Sequence, residues 1–364
     1  MNGEARKTAL VLMGGGARAA YQVGVLKGLA GLLPRGAACP FAVITGTSAG
    51  AVSAAALAAD AAHFLRAVHA IERVWRDFRV HQVFKADAAS MLRSGLHWLG
   101  ALGSGGTLVR APHALFDNSP LWDLLRERLD FDDIRRSVRR GWLQAIGISA
   151  TNYGEAESVT FFDANPAIDP WRRSNRSGRR VRLTLEHLMA SLSLPFLFRP
   201  ILLEGQYYGD GAMRQTSPLG PAFQLGAERI LTIGVGSADA GRSQARSEPT
   251  FGKMFGFMLD SLFMDQIDAD IERIGLYNEI PGRRPVEVLI VNPSGDLTAA
   301  ARRHAAELPR SMRMLLRTVG ANDAAGAELL SYLMFERGFT RELIAMGYTD
   351  AMARAAELRA FVAP

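Results

Sequence analysis

A serine set between two glycines is the side chain of this sequence best placed to act as a nucleophile. The pentapeptide Gly46-Thr47-Ser48-Ala49-Gly50 follows an apolar run at Phe41–Ile44 and precedes an alanine-rich stretch at 49–59. That order predicts a strand, a sharp turn and a helix, the setting in which a G-x-S-x-G pattern forms a nucleophile elbow. The glycines permit the tight turn, and the N-terminus of the following helix favours the negative charge that develops during attack. We predict that Ser48 is the nucleophile, supported by Gly46 and Gly50; a plain glycine-rich turn is the alternative.

Three consecutive glycines end the first predicted strand. Residues Thr8–Met13 are apolar, Gly14-Gly15-Gly16-Ala17-Arg18 follows, and the spacing of apolar residues predicts a helix at about Ala19–Leu33. A dinucleotide-binding loop would need a carboxylate about twenty positions further on, and none stands between residues 5 and 59. A P-loop would need Gly-Lys-Ser/Thr, which is absent.

The remaining functional interpretation of this loop is an oxyanion hole. Backbone N–H groups of Gly14, Gly15 and Gly16 would then be aimed at an acyl oxygen. Arg18 stands where it could steady the loop or meet an anionic head group.

A third glycine-flanked residue is Asp210, in the stretch Tyr207-Tyr208-Gly209-Asp210-Gly211-Ala212. The preceding residues, Ile201–Tyr208, predict a hairpin that turns at Glu204-Gly205 and delivers the aspartate to a strand end. The neighbouring Gly211 allows a bent and crowded backbone. An isolated Asp-Gly pair is more often only a turn, so Asp210 gains its significance from the serine and the glycine loop.

Together these blocks resemble the patatin-like phospholipases. The glycine loop with Arg18, the Gly46–Gly50 pentapeptide and Asp210-Gly211-Ala212 look like the family's oxyanion, nucleophile and dyad-aspartate blocks, and Ala190–Pro195 is also similar. The resemblance covers roughly residues 7 to 235, and the part after residue 240 is a looser match. One departure is Ala212, where many members have a second glycine.

This resemblance implies a Ser48–Asp210 dyad in place of a Ser–His–Asp triad, and hydrolysis of acyl esters of lipids. It also implies an α/β fold of three layers, α/β/α, with a mainly parallel central sheet. We expect cleavage of carboxylic ester bonds of phospholipids or lysophospholipids through an acyl-Ser48 intermediate. Two alternatives remain open: a general carboxylesterase or polyester depolymerase, and a catalytically silent lipid-binding or regulatory protein on the same fold.

The positions of the histidines agree with a dyad. In α/β-hydrolases the catalytic histidine follows the acid along the chain. Only His304 follows Asp210 here, in a charged stretch predicted to be an exposed helix face. An aspartate is a weak base at its ordinary pKa of about 3.9. We therefore expect Asp210 to gain basicity from burial near Ser48, or to act mainly by orienting the hydroxyl.

Composition narrows the class of protein. The chain has 364 residues, of which 48% are hydrophobic, enough for a sizeable core. The single Cys39 excludes an internal disulfide. We see no signal-peptide pattern and no apolar run near the roughly 20 residues of a membrane span. We therefore expect a cytoplasmic protein, with peripheral attachment to the inner membrane face left open, and neither a metal nor a cofactor is implied.

The net charge of +6 is concentrated in two arginine clusters, at residues 135–140 and 172–182. The second cluster is predicted to be a loop. Solvated surface is one interpretation, and attraction to anionic lipid, at about 1 kcal/mol per basic residue, is the other. Nucleic acid is not expected, because no aromatic residues are interleaved with the arginines.

Chain organisation predicts a catalytic domain at 7–240 and a C-terminal strand with a mostly helical extension at 241–364, packed on it. Within the first, residues 80–116 are a candidate mobile cover over the site. In the second, Val286–Val291 is apolar apart from Glu287, and we expect a strand buried on both faces. The Phe/Met-rich stretch Phe251–Met264 fits a core helix, an acyl-chain groove or a membrane-facing helix.

Overall fold

The centre of the fold is a β-sheet with helices around it. A computed structural model describes residues 6–87, 89, 96–97, 114–236, 248–321 and 326–363. Its strands are β1 Thr8–Leu12, β2 Val43–Thr47, β3 Ala145–Asn152, β4 Glu157–Ala164, β5 Trp171–Arg173, β6 Arg176–Arg180, β7 Ile201–Leu203, β8 Gln206–Asp210, β9 Arg229–Ile233 and β10 Glu287–Val291.

The sheet is mainly parallel where the predicted site lies. The strand order is β10-β9-β1-β2-β3-β4-β6-β5, with β8 pairing β3 and β7. Every pairing from β10 to β3 is parallel. All residues of β1, β2 and β3 are buried, as expected of parallel strands covered on both faces. The predicted three-layer α/β/α fold is confirmed.

Helices connect and cover these strands. They are α1 Ala20–Leu32, α2 Ala49–Ala59, α3 Phe64–Arg76, α4 Val80–Val83, α5 Ser119–Arg128, α6 Phe131–Arg139, α7 Leu185–Leu192, α8 Gly220–Gln224, α9 Phe251–Phe263, α10 Gln266–Asn278, α11 Leu297–His304, α12 Arg310–Thr318, α13 Ala327–Leu333, α14 Arg337–Ala353 and α15 Ala355–Val362. Short 3₁₀ turns lie at Gly16–Ala19, Gly211–Arg214 and Ala305–Glu307.

The described residues beyond 247 belong to the same sheet and helical layers. β10 extends the sheet beside β9, and α14 runs along α1. The two helices approach closely because α1 carries glycine at the contact: a Cβ at Gly24 would collide with the carbonyl oxygen of Ile344.

Two expectations about strands were wrong. β10 forms the edge of the sheet and is largely half-buried rather than buried on both faces, because an apolar run does not reveal which neighbours a strand has. The arginine-rich stretch 172–182 is largely an antiparallel hairpin of β5 and β6 and not a loop. Two carboxylates offset its charge: Arg179 pairs with Glu157 of β4 and with Glu155 of the turn before β4, each at 2.8 Å.

Two other features bear on function. No helix in the described ranges is long and apolar enough to cross a membrane. The predicted cover at 80–116 lies largely outside the described residues. Its described start, α4, contributes buried Val80 and Val83 to the core.

Candidate active site

Strand β3 brings the predicted nucleophile and the predicted base together. Thr47, the last residue of β2, pairs with Ser149, and Asp210, the last residue of β8, pairs with Ala150. The opposite edge of β3 is occupied along its length by β4, so β2 and β8 share the same edge. Because Ser48 directly follows Thr47, the register places it beside Asp210.

Ser48 lies in a strained turn between β2 and α2. Its φ of 51° and ψ of −131° are unusual for a residue with a side chain, and such conformations cost about 1–3 kcal/mol. The flanking glycines are required by close contacts. A Cβ at Gly46 would lie 2.6 Å from the Cα of Ala51, and one at Gly50 would collide with the carbonyl oxygen of Leu12. The motif thus forms the sharp turn that its sequence predicts.

One short segment at the C-terminal end of α7 supports both residues. The backbone N–H of Ser48 donates to Ser191 Oγ at 2.9 Å, and the N–H of Asp210 donates to the carbonyl of Ser193 at 2.9 Å. Ser191 is fully buried. The Ala190–Pro195 block therefore has a structural role that the sequence did not assign.

Asp210 is fully buried at the end of β8. Its Oδ1 accepts the N–H of Ala212 at 2.9 Å, whereas Oδ2 has no hydrogen-bond partner in the described part of the chain. Burial raises the pKa of this carboxyl to about 7, and the nearby Ser48 hydroxyl and Ala212 amide lower it in part. Gly211 is needed here because a Cβ would collide with the carbonyl oxygen of Ser149. A carboxyl with such a pKa can take up a proton near neutral pH.

The glycine loop runs directly beside the nucleophile. A Cβ at Gly14 would lie 2.9 Å from that of Ser48, and one at Gly16 (φ 54°) would collide with the carbonyl oxygen of Tyr332. Within the described ranges, no backbone carbonyl accepts from the N–H groups of Gly15 or Gly16. The N–H groups of this loop can therefore donate to an acyl oxygen held at Ser48.

Arg18 points into the protein and is only 3% exposed. Its Nη1 pairs with Asp260 at 2.8 Å, and its Nε donates to Ser331 Oγ at 2.7 Å. The guanidinium also lies over the ring of Tyr332, 4.0 Å from its centroid. These buried contacts of Arg18 favour the first of its two predicted roles, stabilisation of the glycine loop, over contact with an anionic head group.

The histidines that could complete a triad are engaged elsewhere. His304 contacts Glu307 through Nδ1 and Glu342 through Nε2, both at 2.7 Å. His187 contacts Thr184 at the start of α7, and burial lowers its pKa. Across the described ranges, no group of three His, Cys, Asp or Glu side chains is arranged to hold a metal ion.

A cavity of about 570 Å³ opens at Ser48 and Gly16. This volume is within the usual range for small-molecule sites, about 300–1,000 Å³. Its described walls are mostly apolar and come from α2, α3, α5 and the segments after α7 and α13. They include Val52, Val74, Leu121, Leu125, Leu197 and Phe335. An apolar chain attached to an ester at Ser48 would find matching surface here.

Residues 10–223, more than half of the chain, match the family model of patatin-like phospholipases. Human GIVD cytosolic phospholipase A2, solved in complex with methyl gamma-linolenyl fluorophosphonate, is 15% identical with a TM-score of 0.48, over 98% of this chain and 58% of that one. VipD from Legionella pneumophila is 13% identical with a TM-score of 0.38, over 97% and 67%. No curated protein sequence matches the chain.

Proposed function

Because the chain belongs to the patatin-like phospholipase family, we propose that it hydrolyses carboxylic ester bonds of phospholipids or lysophospholipids. The observation that carries this proposal is the register of β3, which sets Ser48 and Asp210 side by side. The apolar cavity that opens at Ser48 suits the acyl part of such a substrate.

The proposed reaction has two halves. Ser48 Oγ attacks the acyl carbonyl while Asp210 Oδ2 takes its proton, and N–H groups of the glycine loop stabilise the oxyanion. Collapse of the tetrahedral intermediate expels the alcohol, which receives the proton from Asp210. A water molecule then gives a proton to Asp210 and attacks the acyl-Ser48 ester. The fatty acid leaves, and Ser48 recovers its proton.

Contact with a lipid surface is part of the proposal, and α9 is its main structural support. Phe251, Met254 and Phe257 are exposed on this helix, the last by 67%. An exposed apolar helix face of this kind is suited to the interface of a bilayer. The arginine cluster at 172–182 contributes less, because Arg179 is ion-paired and Arg180 donates to backbone carbonyls, including that of Ala164.

We also propose that the functional unit includes the residues beyond the family match. The catalytic residues fall within 7–240, but α9 and α13 of the 241–364 part contact the glycine loop: Phe263 borders Gly14, and Tyr332 borders Gly16.

A serine-directed fluorophosphonate probe tests the nucleophile. We expect the wild type to be labelled and Ser48→Ala to remain unlabelled. Ser53→Ala is the matched control, since Ser53 is buried in the adjoining helix α2 and is not among the described residues that line the cavity. Equal labelling of wild type and Ser48→Ala would overturn the assignment.

Incubation with phospholipid and lysophospholipid vesicles tests the substrate, with released fatty acid measured by mass spectrometry. We expect release by the wild type and none by Ser48→Ala. Turnover of short soluble esters alone would favour the general carboxylesterase. The absence of both fluorophosphonate labelling and ester turnover would favour the catalytically silent lipid-binding protein.

A further inference from the structure

Helix α2 carries a single partly exposed stripe on an otherwise buried surface. Of its residues after Gly50, only Val52, Ala56 and Ala59 are not fully buried. Val52 and Ala56 are four residues apart and lie on one face of the helix. Ser48, four residues before Val52, stands at the N-terminus of the same helix. At 1.5 Å per residue, Ala56 is about 12 Å along the helix axis from the nucleophile.

This stripe is a wall of the cavity at Ser48. Both Val52 and Ala56 line it, and Ile71 and Val74 of α3 and Leu125 of α5 are among the residues that complete its walls. An acyl group whose carbonyl is held at Ser48 can thus lie along α2, passing Val52 first and Ala56 second.

The surroundings change near Ala56. This residue also lines a second cleft, which shares Ala70, Glu127 and Arg128 with the first cavity. Several further charged side chains line that cleft, including Arg66, Asp130 and Arg136. Ala59 lines this second cleft and not the first. The junction therefore marks a transition from mostly apolar to charged walls.

We propose that Val52 and Ala56 determine the acyl-chain selectivity of this enzyme, because the acyl chain passes these two side chains one after the other. The inference rests on the proposed hydrolase function. An extended chain advances about 1.25 Å per carbon, from bond lengths near 1.5 Å and tetrahedral angles. The 12 Å to Ala56 therefore accommodates about ten carbons, and the 6 Å to Val52 about five.

Selectivity follows from the apolar surface that each added carbon buries. Burial of one methylene raises kcat/KM by about fourfold when the contact is made in the transition state. We expect kcat/KM of the wild type to rise with chain length up to about ten carbons, where the apolar path ends, and to level off beyond it.

A series of soluble monoesters of one chromogenic alcohol, with acyl chains of about four to sixteen carbons, tests the path. A larger side chain at Ala56 should block the distal part, so Ala56→Phe should lower the long-to-short ratio of kcat/KM by tenfold or more. Val52→Phe should reduce the acyl-chain length at which kcat/KM levels off to about five carbons. Ala59→Phe is the matched control, and it should retain the wild-type profile.

Fold is checked by thermal unfolding, and Ala56→Leu replaces Ala56→Phe if the latter does not fold. An unchanged chain-length profile in the folded Ala56 and Val52 variants would overturn the proposed path. That outcome is distinct from failure of the proposed function, in which the wild type would hydrolyse no ester of the series and Ser48 would not react with fluorophosphonate.

Discussion

Arg18 and Asp260 form an ion pair, with 2.8 Å between Nη1 and Oδ1, although 242 residues separate them in sequence. The hydroxyl of Tyr332 donates to the same Asp260 oxygen at 2.7 Å, and its ring lies under the guanidinium. The backbone carbonyl of Tyr332 borders Gly16. Residues beyond the family match thus hold the helical turn that follows the glycine loop, and we infer that they position its N–H groups.

Replacing Asp260 tests this positioning role. Asp260→Asn leaves the charge of Arg18 without its partner in a buried site, and such losses destabilise proteins by about 3–5 kcal/mol. Because the Asp260 side chain is 22% exposed, we expect the lower end of that range. We also expect a fall in kcat for a soluble ester with little change in KM, since the oxyanion forms only in the transition state.

The exposed Asp268 of α10 provides the control. Asp268→Asn makes the same chemical change away from the loop and should leave both the melting temperature and kcat near wild-type values. A folded Asp260→Asn enzyme with undiminished kcat would show that the ion pair stabilises the fold without positioning the loop.

The raised pKa of Asp210 predicts the pH dependence of activity. The base must be ionised to accept the proton of Ser48, so kcat/KM should rise with pH through about 7 and then level off. Asp210→Asn should lower kcat by about 10²–10⁴-fold, the usual contribution of a general base. An activity that is already maximal at pH 5 would show that the pKa of Asp210 in the active enzyme lies well below 7, and it would contradict this prediction.

The raised pKa of Asp210 also predicts that folding stability falls over the pH range in which activity rises. The folded state binds the Asp210 proton more tightly than the unfolded state, whose pKa is near 3.8. Folding stability from this group is therefore present at low pH and is lost as pH rises from about 4 to about 7. The full loss is on the order of 4 kcal/mol. Asp210→Asn should thus melt above the wild type at pH 8, and this gain should shrink at pH 5.

Ser191 is predicted to hold the nucleophile in its strained conformation. Ser191→Ala leaves the buried N–H of Ser48 without an acceptor, at a cost of about 1–3 kcal/mol. We expect kcat to fall about tenfold, with KM for a short ester little changed. Ser193→Ala is the control, because its hydroxyl donates to the carbonyl of Met189 and not to the nucleophile turn. Equal kcat for Ser191→Ala and wild type would remove Ser191 from the positioning of Ser48.

The local parts of this site could be predicted from sequence because each depends on its immediate neighbours. A glycine-flanked serine between a strand and a helix has few ways to fold, and Ser48 has the positive φ that the motif requires. The hairpin before Asp210 turns at Glu204-Gly205 as predicted, with φ of 49° and 79° at these residues.

Long-range features could not be predicted in this way. No pattern near Arg18 indicates that its partners are Asp260 and Ser331. The strands at 172–182 were missed because arginine-rich segments are usually solvated, whereas here Arg179 finds buried Glu157 on the neighbouring β4. Such pairings depend on strand order, which sequence periodicity does not specify.

Association with a lipid surface is predicted to depend on the exposed apolar face of α9. Phe257→Asp places a charge on this face at a position that is 67% exposed, so the fold should tolerate it while sedimentation with anionic vesicles falls several-fold. Salt screens electrostatic attraction, over about 8 Å at physiological ionic strength, but it does not weaken the contact made by the apolar face of α9. High salt should therefore release the wild type only in part. Met352→Asp is the control, since this exposed residue of α14 lies near the end of α1 far from the glycine loop. Equal vesicle binding by Phe257→Asp and wild type, at matched turnover of a short soluble ester, would exclude α9 as the contact surface.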